Sequence, residues 1–268
     1  MEKIRVSDID FSNLKKMNSV GTKSVMYTKD GICIKMFKEL YPEEKKDMYR
    51  KFLSMDGLDI DGVILPKDLI VDGDKLQGYT MEYFENSEPL FKRFGRSNYV
   101  DCREMFDVVK NASLILRRIH ENKFVCQDLN FDNILIDDSG TIKYCDIDGC
   151  TYNGISSPYM SSLLARYLSH RRKEFDDFSV NSDRVSLILS FFLLAYTKEI
   201  QRVSNREYCS LSGSLQTLKN MEEYADSLCL KGGNLPCVPY VDELIDDNDS
   251  GYINREKQIG LFRRVFRR

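Results

Sequence analysis

The chain has 268 residues, 42% of them hydrophobic and 30% charged, which is enough for one large domain or for two lobes around a cleft. Its formal net charge of -3 gives no whole-chain argument for nucleic-acid binding. No apolar run reaches the roughly 18 residues of a membrane span, so no transmembrane segment is expected.

The N-terminus, Met1 to Asp10, alternates charges around no apolar core and does not read as a signal peptide. The eight cysteines form no CxxC pair, and with two histidines they offer no zinc spacing. They read as reduced thiols of a cytoplasmic protein, with export into a host cell by a non-Sec route left open.

In chain order, Val25 to Tyr27 and Ile32 to Phe37 flank a glycine-containing turn and predict a β-hairpin. Pro42 to Met55 predicts a helix opened by its proline and closed near Gly57. Asp68 to Val71 and Leu76 to Phe84 predict a second hairpin around Asp72-Gly73-Asp74. Together these make a sheet of about five strands with one inserted helix. From Asp101 the period changes. Phe106, Val109, Ala112, Leu116 and Ile119 recur at spacings of three and four, a helical stripe ending near His120.

Phe124 to Cys145 is strand-rich, and from there the chain reads as helical. The apolar stretch Val185 to Tyr196 is preceded by Asn181 or Ser182 as a cap. The pattern is α+β in class, with a β-rich part in residues 1–85 and a larger, mainly helical part in residues 86–268, joined near Glu85 to Pro89.

The chemistry concentrates in residues 124–149, FVCQDLNFDNILIDDSGTIKYCDIDG. Asn133 to Ile136 and Ile142 to Cys145 predict the two strands of a hairpin. A turn between Asp138 and Ser139 sets Asn133 near Tyr144 and Asp146 near Phe131. Asp128, Asn133, Asp146 and Asp148 then converge at one edge. Carboxylate and amide oxygens grouped in this way suit Mg²⁺, and a further carboxylate can align a hydroxyl and accept its proton. Asp137 and Asp138 read as plain turn residues.

The sequence Cys126-Gln127-Asp128-Leu129-Asn130-Phe131-Asp132-Asn133, followed by Asp146-Ile147-Asp148-Gly149, resembles the catalytic core of the protein-kinase-like superfamily, in a minimal, divergent bacterial or phage-type form. The resemblance runs from about residue 18 to 196. It implies a bilobal fold with a small β-rich lobe carrying one helix, and a larger α-helical lobe. It implies ATP and Mg²⁺ as cofactors, Asp128 as catalytic base, and Asn133 and Asp146 as metal ligands. Asp148 adds a carboxylate for the metal or for capping the next loop. By the same resemblance Lys35 holds the ATP phosphates, and a helix glutamate, Glu44 with Glu43 as rival, pairs with it. Gly21 stands where a glycine-rich loop belongs. Met81 borders the adenine, and the backbone of Glu82 and Phe84 bonds its edge. Asp183 either holds the catalytic loop or only starts a helix.

The chain also departs from that pattern. Gln127 replaces an arginine, so phosphate-dependent switching is not expected. Asn130 replaces a lysine that helps to assign the acceptor. Ser157-Pro158 follows Asp146 closely, without Ala-Pro-Glu. Three functions fit: a kinase acting on Ser, Thr or Tyr of a protein, a small-molecule kinase of the aminoglycoside or choline type, and a pseudokinase used as a binding module. The acidic stretch Asp242 to Asp249 is the one place from which a cation-binding acceptor pocket can come. The basic, aromatic tail Phe262 to Arg268 either packs on the helical part or touches an anionic partner.

Overall fold

A computed structural model of the chain describes residues 1–17, 24–38, 41–96, 102–156, 179–184, 186, 187, 190 and 240. Gly21, Ser157-Pro158, the acidic stretch from Asp242 and the basic tail lie outside them.

The main sheet takes β1 (Lys3–Arg5), β2 (Lys15–Lys16), β3 (Ser24–Lys29), β4 (Ile32–Phe37), β5 (Pro66–Asp72) and β6 (Lys75–Glu82). Its order is β1-β5-β6-β4-β3-β2, antiparallel except where β1 runs parallel to β5. The two predicted hairpins are β3–β4 and β5–β6; both edge strands, β1 and β2, escape the sequence pattern, because two or three residues are too few to carry a period. Between β3 and β4 the chain turns on Asp30 and Gly31, both left-handed with φ of 49° and 75°, which is the geometry of a two-residue hairpin turn.

Helix α1 (Pro42–Leu53) follows β4. Pro42 opens it with a preset φ, and Glu43 and Glu44 in the first turn and Arg50 and Lys51 in the last complement the helix dipole. Its inner stripe, Met48, Phe52 and the following Met55, is buried against the sheet, where Phe52 meets the Tyr79 ring edge-on at 5.0 Å.

A short strand β7 (Glu88–Pro89) leads into α2 (Leu90–Arg96) and the long α3 (Cys102–Glu121), whose buried Val109, Ala112, Leu116 and Ile119 are the predicted stripe apart from Phe106, whose side chain is not among those described. Beyond it come β8 (Phe124–Val125), β9 (Ile134–Ile136), β10 (Ile142–Tyr144) and β11 (Thr151–Tyr152). β10, β9 and β7 form one small sheet, β11 and β8 another. The described part is thus a mixed α+β structure with one multi-stranded sheet, and a single apolar cluster runs from Cys33 and Phe52 through Leu116 to Ile134 and Tyr144.

Residues 180–184 are helical. The helix starts earlier than the capping pattern predicts. Ser179, not Asn181 or Ser182, stands before it, and its backbone N–H donates to Ser182 Oγ at 2.9 Å.

Candidate functional site

The hairpin β9–β10 pairs Ile136 with Ile142 and Ile134 with Tyr144. This is one residue out of the predicted register, so Asn133 lies opposite Cys145, whose N–H donates to the Asn133 carbonyl at 2.9 Å. The turn is longer than expected. Asp137 Oδ1 accepts from the Ser139 and Thr141 N–H groups, both at 2.9 Å, and Gly140 takes a left-handed φ of 84°. The convergence survives the shift, because Asn133 and Asp146 still flank the open end of the hairpin.

Lys35 reaches that end from the main sheet. It alternates with Cys33 on one face of β4, and in the register of β4 with β6 it stands beside Tyr79, as Cys33 stands beside Met81. Strands β4 and β6 approach closely here: a Cβ on Gly78 would lie 2.2 Å from the Lys35 carbonyl oxygen, so only glycine fits. The Lys35 ammonium forms ion pairs with Asp146 and, at 2.7 Å, with Asp148. Tyr79 donates its hydroxyl to the same Asp148 oxygen at 2.7 Å.

The charges of this cluster shift one another. Burial and the neighbouring Asp148 push the Asp146 carboxyl up, against the pull of Lys35. With 41% of the Asp146 side chain exposed, water softens this rise. Asp148 is held below the ordinary carboxylate range despite its burial, because the Lys35 ammonium and the Tyr79 hydroxyl stabilise its anion. Lys35 stays protonated: burial works against its charge, and Asp148 and Asp146 more than offset it.

Two of the predicted residues sit differently from expectation. The Glu44 carboxylate accepts from the Tyr41 N–H at 2.9 Å and caps α1; the partners of Lys35 are Asp146 and Asp148. The reason lies in the helix face. Lys51, in line with Met48 and Phe52, is the α1 residue turned toward the hairpin, and it donates to the Asp148 and Cys150 carbonyls at 2.7 and 2.8 Å. Asp148 is also displaced from the open metal-ligand role. Only 5% of its side chain is exposed, and its Oδ1 is taken by Lys35 and Tyr79.

Lys51 and Tyr79 escaped sequence reasoning. The signal for Lys51 was a lysine inside an apolar helical stripe; Tyr79 looked like any core aromatic.

Asp128 is half-buried on the loop after β8. Asn130 donates to its carboxylate at 3.2 Å, and Asn133 donates Nδ2 to its carbonyl at 2.8 Å. Just before it, Gln127 is buried with a φ of 24°, a strained conformation for a non-glycine residue. The loop is held from beneath by Asp183, 1% exposed, whose Oδ2 accepts from the Cys126 N–H at 2.6 Å and meets His120 Nε2 at 3.0 Å. His120 Nδ1 in turn lies 2.8 Å from the Tyr240 hydroxyl. Of the two readings of Asp183, the geometry is that of a loop-holding carboxylate.

At the junction after β6, Met81 is buried in the strand. Glu82 pairs with Lys143 of β10 through both carboxylate oxygens, at 2.6 and 2.7 Å, and Lys143 lies 5.1 Å from the Phe84 ring centroid. The Phe84 carbonyl accepts from Ser87 Oγ at 2.6 Å.

As donors for Mg²⁺, Asn133 and Asp146 suit the ion. Asn133 commits its amide nitrogen to the loop and so keeps an oxygen for a cation. The part-exposed Asp146 shares one neighbouring ammonium with a second carboxylate, a surplus of negative charge that a hard cation would offset. Cys33, Cys126, Cys145 and Cys150 are free thiols, and among the described residues no helix is long and apolar enough to cross a membrane.

No protein-family profile matches this chain. Over 119 residues it is 28% identical to a dual specificity protein kinase, FUZ7, of Mycosarcoma maydis; the match takes in 43% of this chain and 26% of that protein. The similarity is that of a distant kinase-like relationship.

Proposed function

We propose that the chain is an ATP- and Mg²⁺-dependent phosphotransferase with a bilobal protein-kinase-like fold, carrying the γ-phosphoryl group to a hydroxyl on a protein. The observation that carries the reading is the convergence of three elements: Lys35 from the sheet on Asp146 of the hairpin, beside a loop whose Asp128 is held in place through Asp183. The partial similarity to a dual specificity kinase supports a protein acceptor.

In this reading Asp146 and Asn133 would hold Mg²⁺, which supplies charge for the phosphate oxygens. Lys35 neutralises charge on the α- and β-phosphates. The Asp128 carboxylate accepts a hydrogen bond from the acceptor hydroxyl. As the acceptor oxygen bonds to the γ-phosphorus and the bond to the β-γ bridging oxygen breaks, the hydroxyl proton passes to Asp128 and ADP leaves. Met81 and the backbone of Glu82 and Phe84 border the adenine.

The experiment is incubation of the purified chain with γ-labelled ATP and Mg²⁺, alone and with a protein lysate. Label on protein, lost on chelation of Mg²⁺, is the expected result. Label on small molecules alone would assign an aminoglycoside- or choline-type kinase. No transfer, with ATP bound, would make the chain a pseudokinase.

A further inference from the structure

We propose that Asp148 is the positioning residue for Lys35, doing for that ammonium what a helix glutamate was expected to do; the proposal rests on the phosphotransferase reading of the same site. Lys35 has two carboxylate partners of different kinds. Asp146 keeps 41% of its side chain exposed, whereas Asp148 keeps 5%. Asp146 is the one free to turn toward a cation. Asp148 is fixed from three sides: β4 brings Lys35 to its Oδ1 at 2.7 Å, β6 brings the Tyr79 hydroxyl to the same atom at 2.7 Å, and α1 brings Lys51 to its carbonyl at 2.7 Å.

The helix that would carry a glutamate partner presents Lys51 at its inner face, 1% exposed; of its carboxylates, Glu44 is spent on the cap, and Glu43 and Asp47 are exposed. A carboxylate toward Lys35 therefore has to come from the hairpin side. One ammonium, Lys35, then faces two carboxylates, Asp146 and Asp148, while Lys51 holds the backbone behind them through the Asp148 and Cys150 carbonyls. When Asp146 commits to a metal ion, Asp148 leaves Lys35 with a counter-ion and a fixed direction. Burial makes that fixation strong, because a desolvated ammonium has no competing water.

The test uses the full chain, three test variants and Lys35→Arg as the assignment control. Asp148→Asn keeps the size and an acceptor for Tyr79 but removes the charge. Glu44→Gln keeps the cap. Tyr79→Phe removes one hydrogen bond and nothing else from Asp148. The direct readout is the Nζ–H signal of the Lys35 ammonium by NMR, identified through its loss in Lys35→Arg. A slowly exchanging signal is expected in the wild type and in Glu44→Gln. It should exchange faster in Tyr79→Phe and vanish in Asp148→Asn. In the transfer assay Asp148→Asn should lower kcat about tenfold or more with KM for ATP much less changed.

A Lys35 signal that persists in Asp148→Asn, or that vanishes in Glu44→Gln, overturns the proposal. Should Asp148→Asn fail to fold, an unchanged exchange rate in Tyr79→Phe overturns it equally. Absence of transfer in the wild type would defeat the phosphotransferase reading alone, since the ammonium signal still decides which carboxylate holds Lys35.

Discussion

The two ends of the β9–β10 hairpin are both rich in aspartate and asparagine, and they do opposite things. At the turn, Asp137 spends its carboxylate on Ser139 and Thr141, two and four residues away. At the open end, Asp146 and Asp148 meet an ammonium 111 and 113 residues away in sequence, on another sheet. Residue type does not separate the two ends; the separation in sequence of the partner does. A carboxylate satisfied by its own loop has done its work in folding. One that is brought against a buried lysine from a distant strand keeps a desolvation cost that folding alone does not require.

The contrast can be broken most sharply at Asp146. Asp146→Asn keeps the shape of the open end and removes one of its two negative charges. Phosphotransfer should fall to the level of a blank, with the circular dichroism spectrum unchanged. Wild-type transfer by this variant would place the metal elsewhere.

Asp128 comes next. Its carboxylate is assigned to the acceptor proton, not to ATP. Asp128→Ala should lower transfer by about 10²-fold while ATP affinity stays within a few fold. Asn130 bonds the Asp128 side chain, but Asn133 bonds its backbone carbonyl, so the loop keeps its tie to the hairpin in the variant. A loss of ATP affinity and melting temperature together would return Asp128 to the class of Asp137, a residue of the loop only.

Lys51 tests the same contrast from the helix. Lys51→Met keeps the length and apolar stem but withdraws the donors from two buried carbonyls, those of Asp148 and Cys150. Leaving them without partners should destabilise the fold by about 1–3 kcal/mol in chemical denaturation. An unchanged midpoint would mean that water replaces the ammonium there.

The sequence carried the hairpins, α1 and the α3 stripe well, because their signals are local. Asp30-Gly31, Pro42 and the spacing from Phe106 to Ile119 each act within a few residues. The register of β9 with β10 failed by one residue because it depends on how many residues the turn absorbs, and the Asp137 bonds with Gly140 absorb one more than a tight turn. The partner of Lys35 failed for a different reason. Periodicity places Glu44 and Lys51 in the same broad sector of a helix, and only packing decides which of them faces the hairpin. Asp183 was ambiguous because its partners, Cys126 and His120, lie 57 and 63 residues away, beyond any local pattern.

The smallest effect is expected at the turn. Asp137→Ala should leave phosphotransfer unchanged and lower the melting temperature slightly, by less than Lys51→Met does. The pH dependence of that small loss has a definite sign. Hydrogen bonds from Ser139, and from the backbone of Thr141 and Gly140, hold the Asp137 carboxyl below its ordinary value of 3.8. A depressed folded value means that the unfolded chain binds the proton more readily, so the contribution is full above 3.8 and is lost as pH falls through the depressed value. Wild type and Asp137→Ala should therefore differ by a constant amount in denaturant midpoint down to about pH 5 and converge only in stronger acid. A difference that faded already between pH 7 and pH 5 would show that Asp137 is coupled to a group of higher pKa, and the turn would no longer be the inert end of the hairpin.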